Sequence, residues 1–378
     1  MIDSESHKLL KEELDKRIST DRRVLDTLRN EIKPLKNNVR KIQQRSITSV
    51  SLVGTDGGNN RFQFDPFLVH IIRVVDSSNN EYCLNAITPT TSTSQLSKDQ
   101  FDSMGKPITP LGRLMEHLSI KDLAKLSHMI RNNDNDEPTS PTWVQVYREL
   151  VEWATLFDLI KNKNFGTDTL FVFDGLLRSK VFAKDNFKKY LDALAEAIEL
   201  HKKNHRQIYL VGLAKHSKVL DRYRLAMSLE GVLATDYPSY VTVPRDIEEK
   251  AYIWSEYAKG DDLEQTGEIN KFVGGKMFLV KFGVRSRDPI WPVDIFQPQE
   301  PEAQTIIGCL LADAINGFPI PFYPQCLQKA HENAALVDFD FDILQDQIFE
   351  AIRKSLNEDA PLLDEYQLRD NDVSDRRY

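Results

Sequence analysis

Cysteine is scarce, with three residues in 378, at Cys83, Cys309 and Cys326. Their odd number and wide spacing exclude a disulfide framework and a CxxC-type zinc site, and point to a reducing compartment. Long apolar runs are also missing, and none approaches the roughly 20 residues that a membrane span requires. With 28% charged residues and a mean hydropathy of −0.43, the composition is that of a soluble globular chain with no membrane partner. Met1 to Arg17 hold no apolar stretch behind a basic start, so no export signal is expected and the expected location is cytoplasmic. A basic excess is absent too: 49 Lys and Arg against 57 Asp and Glu leave a net charge of −8. Proteins that grip duplex DNA unaided usually carry the opposite balance, because phosphate neutralisation supplies most of that affinity. An enzyme with a local basic groove, or one handed its DNA by a partner, stays open. Nucleotide loops are lacking as well. Gly274-Gly275-Lys276 has Asn270 in place of the leading P-loop glycine and Met277 in place of the hydroxyl, no GxGxxG follows a strand, and no GxSxG elbow supports a serine triad.

What is present is unevenly spread. Residues 1–46 carry 12 basic and 8 acidic side chains, whereas residues 357–378 carry 3 and 7. In the first segment, Leu14, Ile18, Leu25, Leu28, Ile32, Leu35, Val39 and Ile42 form a heptad-like apolar stripe, which predicts a long amphipathic helix interrupted at Pro34. Such a helix serves either as packing for its own domain or as a seam for a dimer or partner. From Ser46 the pattern turns to β. Strands are expected over 49–53, 67–75 and 81–87, with Ser77 to Asn80 as a hairpin turn, which makes an antiparallel meander. Helices are expected over 111–130 and 141–163. The apolar runs 168–174 and 207–212, separated by a helical stretch at 184–203, then predict parallel strands. Further strands are expected at 276–284 and 292–296 and a helix at 300–316. The implied division is a helical, possible coiled-coil extension at 1–46, an α/β domain at 47–345 with a helical insertion at about 105–165, and a C-terminal helix with an acidic tail at 346–378.

Chemistry collects at strand ends. Asp56, followed by Gly57-Gly58, and Asp174, followed by Gly175, each close an apolar strand, where the last side chain projects into the crevice of an α/β sheet. Two such carboxylates suit a divalent metal bound through oxygen. Glu149 and Glu152 stand three residues apart on one helical face, and either could add a third carboxylate. Lys215, after the 207–212 strand, and Arg178, just past Gly175, are placed to meet a phosphate. Tyr323 and His331 lie eight residues apart across a Pro-rich approach and a short helix, and a histidine there could orient water, steady an oxygen or bind metal.

Taken in order, Asp56-Gly57, Glu152, Phe173-Asp174-Gly175, Gly212-Leu-Ala-Lys215-His-Ser217 and Tyr323-Pro-Gln-Cys-Leu-Gln-Lys-Ala-His331 resemble the motifs of the NurA nucleases, from about Ser49 to about Leu336. The resemblance implies an RNase H-like mixed sheet flanked by helices and a Mn²⁺-dependent nuclease, with Mg²⁺ also conceivable, acting on DNA ends and single strands. It further implies a homodimer and a HerA-type hexameric DNA translocase as partner, in DNA end processing or defence against phage. Carried over residue by residue, it makes Asp56, Glu152 and Asp174 the metal-binding carboxylates, with Tyr323 and His331 as active-site supports. Two features depart from the family pattern. Gly58 replaces the usual serine after Asp56-Gly57, and Phe318 to Phe322 reads as a short insertion before Tyr323. The competing expectation is a catalytically weak adaptor that keeps the same shell and regulates a translocase.

Overall fold

The computed structural model describes residues 3–46, 48–54, 61–64, 67–133, 138–252, 272–356 and 361. The first element is helix α1 (Ser4–Ile32), whose N-terminus is capped by the Asp3 carboxylate accepting from the Glu5 and Ser6 amides. It stops where Pro34 removes a backbone donor, and a 3₁₀ segment over Lys33–Asn38 follows. The α1 side chains are exposed through Val24, whereas Ile32 and Leu35 are fully buried against Val219, Tyr223 and Met227. The C-terminal half of the stripe is therefore packing for its own domain, tied down by Arg29 on Glu230 at 2.6 Å and by the Tyr223 hydroxyl donating to Glu31 at 2.6 Å.

The sheet begins with β1 (Arg40–Lys41), β2 (Thr48–Gly54), β3 (Arg61–Phe64), β4 (Phe67–Asp76) and β5 (Glu81–Ile87). Asp76 forms the turn after β4, accepting from the Ser78 and Asn80 amides while Asn79 takes a positive φ of 62°. Three helices follow, α2 (Thr93–Lys98), α3 (Pro110–His117) and α4 (Leu123–Leu126), then α5 (Trp143–Asn162). The single helix expected over 111–130 is thus two. Ser119 adopts a left-handed φ of 56°, and Asp122 caps a new helix by accepting from the Ala124 amide, which outweighs the apolar periodicity that runs across both.

The α/β half contains β6 (Thr169–Asp174), α6 (Asn186–Lys203), β7 (Ile208–Leu213), α7 (Lys218–Glu230), β8 (Ser239–Thr242), α8 (Arg245–Ala251), β9 (Gly275–Lys281) and β10 (Ile290–Phe296). The helices α9 (Ala303–Ala314), α10 (Gln325–Ala334) and α11 (Asp338–Leu356) complete the chain. The strands form one mixed sheet in the order β1-β8-β9-β10-β7-β6-β2-β4-β3, with β5 also on β4. Its centre is the meander β2, β4, β5 extended by β6 and β7, both parallel in the direction of β2. That strand order and polarity are those of an RNase H-like core, as expected; β10, β9, β8 and β1 then continue the sheet antiparallel.

Buried apolar clusters cover both faces of the sheet. Phe171 and Phe173 turn toward α5 and α6, whereas Leu170 and Val172 turn toward α9 and α10, the alternation a strand imposes. A strand buried on both faces needs a continuous apolar sequence, which explains why Thr169–Asp174 carries no polar interruption before its last residue. Helix α5 has 14 of its 20 residues buried, so it lies as a central layer and not as a surface helix. Among the described residues no helix is long and apolar enough to cross a membrane.

Candidate active site at the carboxyl edge of the sheet

β2 and β6 run in the same direction, with Leu52 opposite Phe173, and β7 continues the parallel set with Leu213 opposite Asp174. The carboxyl ends of three strands therefore share one edge. Asp56, two residues beyond the end of β2, lies outside the described residues. Asp174 ends β6 half-buried, and the backbone leaves it through Gly175 at a φ of 141°, a conformation that a side chain would strain. The turn sits close against β7: a Cβ on Gly212 would collide with the Gly175 carbonyl, and the Gly175 amide donates to the Leu213 carbonyl at 2.9 Å.

Tyr323 reaches this edge from the other side of the sheet. Helix α10 packs on β2, β4 and β6, and the chain entering it buries Tyr323 to 2% exposure. Its hydroxyl donates to Asp174 Oδ1 at 3.0 Å. Burial, and then the neighbouring Asp174 carboxylate, hold the phenol well above its ordinary range, so it remains a donor at any physiological pH. The Pro-rich approach that precedes it is fixed by the buried Gln328, whose amide nitrogen donates to the Ile320 and Tyr323 carbonyls while its oxygen accepts from the Ile320 amide. The stretch from Ile320 to Tyr323 is thus a braced loop. His331 lies on α10, two turns beyond Tyr323, and is half-buried. Lys215, exposed after β7, places its Nζ 5.6 Å from the centre of the Tyr323 ring.

The helical carboxylates come from the opposite face. Trp153 stacks on Phe173 with ring centres 4.4 Å apart, which brings this part of α5 to the end of β6. Glu152, 9% exposed, pairs with Arg148 across one turn at 3.3 Å. Glu149 instead accepts from the Ser179 hydroxyl at 2.6 Å and from the Trp153 indole at 3.3 Å, which ties α5 to the loop that follows Asp174. Burial raises the Glu149 pKa, and the hydrogen bonds from Ser179 and Trp153 reduce that shift without cancelling it.

Arg178 does not sit where a phosphate ligand would. Its guanidinium forks onto Asp294, Nε to Oδ2 at 2.7 Å and Nη2 to Oδ1 at 2.9 Å, and also meets Glu248 at 2.8 Å, all three side chains being buried. Burial acts against its charge, but Asp294 and Glu248 hold it firmly protonated. It anchors the loop after Asp174 to β10 and α8, together with the Gly274 amide donating to the Leu177 carbonyl at 2.7 Å. Glu248 carries no sequence signal for this role; for Asp294 the available clue is an acid inside an otherwise apolar strand, Trp291-Pro-Val-Asp294-Ile-Phe296, because a buried acid demands a counter-charge.

The structure therefore brings Asp174, Tyr323 and Lys215 together at one edge, sets the α5 carboxylates at its flank, and keeps Arg178 inside the scaffold. No family model and no curated protein matches the chain. Two solved structures share similarity with it over most of their length. Both are structures of NurA. One is described as NurA, at 12% identity, covering 94% of this chain and 99% of that one with a TM-score of 0.47. The other is described as NurA bound to dAMP and manganese, at 10% identity, covering 88% of this chain and 94% of that one with a TM-score of 0.35.

Proposed function

We propose that the chain is a metal-dependent DNA nuclease whose reaction centre is the carboxyl edge formed by β2, β6 and β7. The observation that carries this reading is the Asp174 carboxylate at the end of β6, oriented by the Tyr323 hydroxyl at 3.0 Å. A hydroxyl donor orients the oxygen it meets and adds no positive charge of its own, which suits a carboxylate that is to face a cation. Among the described residues no three His, Cys, Asp or Glu side chains form a ready cluster. The donor chemistry nevertheless fits a hard ion such as Mn²⁺ or Mg²⁺, since Asp174 and Glu152 offer oxygen ligands. Asp174, Glu152 and Asp56 would hold it, Asp56 following by two residues the strand paired in parallel with that of Asp174. Such an ion supplies Lewis-acid stabilisation of the charge that develops on the phosphate oxygens. The protein's own groups do the rest: Tyr323 orients Asp174, Lys215 offers a cation to the phosphate, and the α10 position of His331 suits a group that steadies a leaving oxygen or a water.

The net charge of −8 fits an enzyme whose hold on DNA depends on metal and on a partner that delivers the strand. We assign that role to a hexameric HerA-type translocase, with the nuclease as a cytoplasmic homodimer. Purified protein, Mn²⁺ and labelled single-stranded DNA test the reading: cleavage is expected, is lost with a chelator and with Asp56→Ala, and exceeds cleavage of the matching RNA. Cleavage that persists in Asp56→Ala at the native rate contradicts it. Activity on duplex ends is expected to rise when the translocase and ATP are added.

A further inference from the structure

β9 and β10 are joined by a turn over residues 282–289 at the same edge where β6 and β7 end. β10 lies antiparallel to β7 with Val293 opposite Leu213, and antiparallel to β9 with Ile290 opposite Lys281. The Ala214 amide donates to the Pro292 carbonyl at 3.2 Å, so the ladder carries Lys215 level with Trp291, two residues short of the turn. The turn thus lies one to two inter-strand spacings, about 5–10 Å, across the edge from β7. It is braced from inside. The buried Lys281 ammonium donates to the Thr235 carbonyl at 2.6 Å and to the Arg285 carbonyl at 3.1 Å, and the Arg285 amide donates to Asp288 Oδ2 at 2.7 Å. Burial works against the Lys281 charge while Asp288 and Asp236 support it, so these two carboxylates already face an internal cation. Arg285 and Arg287 are exposed on the turn, as are Lys215 after β7 and Lys218 in the first turn of α7. None of the four makes an ion pair among the described residues. Residues 214–218 and 282–289 carry four basic side chains and one acid, a local +3 in a chain of −8. By contrast, Arg148 on α5 faces Glu152, and Arg178 is held by Asp294 and Glu248.

We propose that Lys215, Lys218, Arg285 and Arg287 form one electrostatic track for the DNA backbone, leading from Asp174 past the end of β7 onto the β9–β10 turn. The inference rests on the nuclease reading for the identity of the polyanion, and on exposure, register and charge for the surface. Lys215 links the two regions. Its Nζ lies 5.6 Å from the centre of the Tyr323 ring, whose hydroxyl meets Asp174, and its backbone is level with the start of β10. Exposed cations without carboxylate partners, set along one edge, suit a ligand whose negative charges recur along its length; a stacked nucleic-acid strand presents a phosphate about every 3.4 Å. Contacts of this kind read no bases and fix the strand's position. Arg285 and Arg287 are accordingly binding residues for the length of strand beyond the cut. The track also gives a chain of net charge −8 a place to hold DNA, since its positive charge is gathered where the strand is needed.

The test measures binding of a single-stranded oligothymidylate to the full chain from about 50 to 200 mM salt, with Ca²⁺ in place of Mn²⁺ so that binding is read without cleavage. Each phosphate contact on a single strand contributes about 0.7 to the slope of log affinity against log salt. Arg285→Gln combined with Arg287→Gln is expected to reduce that slope by about 1.4, so that native affinity falls about sevenfold further than the variant's over this range. Arg287→Gln alone, whose backbone carries none of the bonds above, is expected to reduce it by about 0.7. Both variants are expected to keep the native urea midpoint, because the bonds of the turn use the Arg285 main chain. Lys202→Gln combined with Lys203→Gln removes two charges at the end of α6, toward the opposite edge where β7 begins, and is expected to leave the slope unchanged. A native slope in the turn variants, or an equal loss in the α6 variant, overturns the inference, and the nuclease reading stands if the native chain cuts with Mn²⁺. If the slope falls as expected but the native chain cuts no DNA, the track holds and the nuclease reading falls. A native chain that binds no oligothymidylate across this range also overturns the track.

Discussion

Asp174 and Asp294 lie on strands separated by β7 alone, yet they are held in opposite ways. Asp294, fully buried, has both oxygens matched by the fork of Arg178, whose Nη2 also meets Glu248. Asp174, half-buried at a strand end, is met on one oxygen by a phenol. A guanidinium fork locks a carboxylate into the scaffold, whereas a hydroxyl aims the oxygen it meets and adds no charge of its own. Two acids with the same sequence setting, each closing or interrupting an apolar strand, are thereby divided into one that holds the sheet together and one suited to ligand chemistry.

That division can be broken from either side. The largest effect on stability is expected from Arg178→Ala, which strands Asp294 and Glu248 as uncompensated buried acids; removing one partner of such a network costs about 3–5 kcal/mol, read as a drop in the urea midpoint. Asp174→Asn is expected to leave that midpoint nearly unchanged while Mn²⁺-dependent cleavage falls by at least about 100-fold. Tyr323→Phe, which removes the orienting hydroxyl and keeps the buried ring, is expected to lower Mn²⁺ affinity by about 10–100-fold, measured by calorimetry. The smallest effect concerns Glu149. Its folded pKa is raised above the ordinary value of 4.5, so the stability it contributes is complete below that pH and is lost as pH rises through the folded value. Glu149→Gln keeps the acceptor for Ser179 and cannot ionise, so its midpoint is expected to gain on the native chain as pH rises from about 4.5 toward neutrality.

Much of the fold is legible before any coordinates. Continuous apolar runs mark β6 and β7 as buried parallel strands, the alternating runs mark the meander, and Pro34 ends α1 where a missing amide must end it. The break between α3 and α4 escapes notice because it depends on a left-handed Ser119 and a capping Asp122, which local composition does not distinguish from an uninterrupted apolar helix. At the site, residue types are legible and partnerships are not. Asp174 and Tyr323 each stand out in the sequence, but 149 residues separate them and only the packing of α10 on the sheet joins them. Arg178 shows the converse. A basic residue just past a strand-end glycine looks ready for phosphate, and only the three-dimensional position of Asp294, 116 residues away, reveals where its charge is used.

The most direct test is single-turnover cleavage of labelled single-stranded DNA with saturating Mn²⁺, comparing Asp174→Asn with the native chain at matched folded fraction. A carboxyl-edge metal site predicts that the native chain cuts and that Asp174→Asn retains less than about one hundredth of the rate. An Asp174→Asn protein that cuts at the native rate would place the chemistry elsewhere on the molecule.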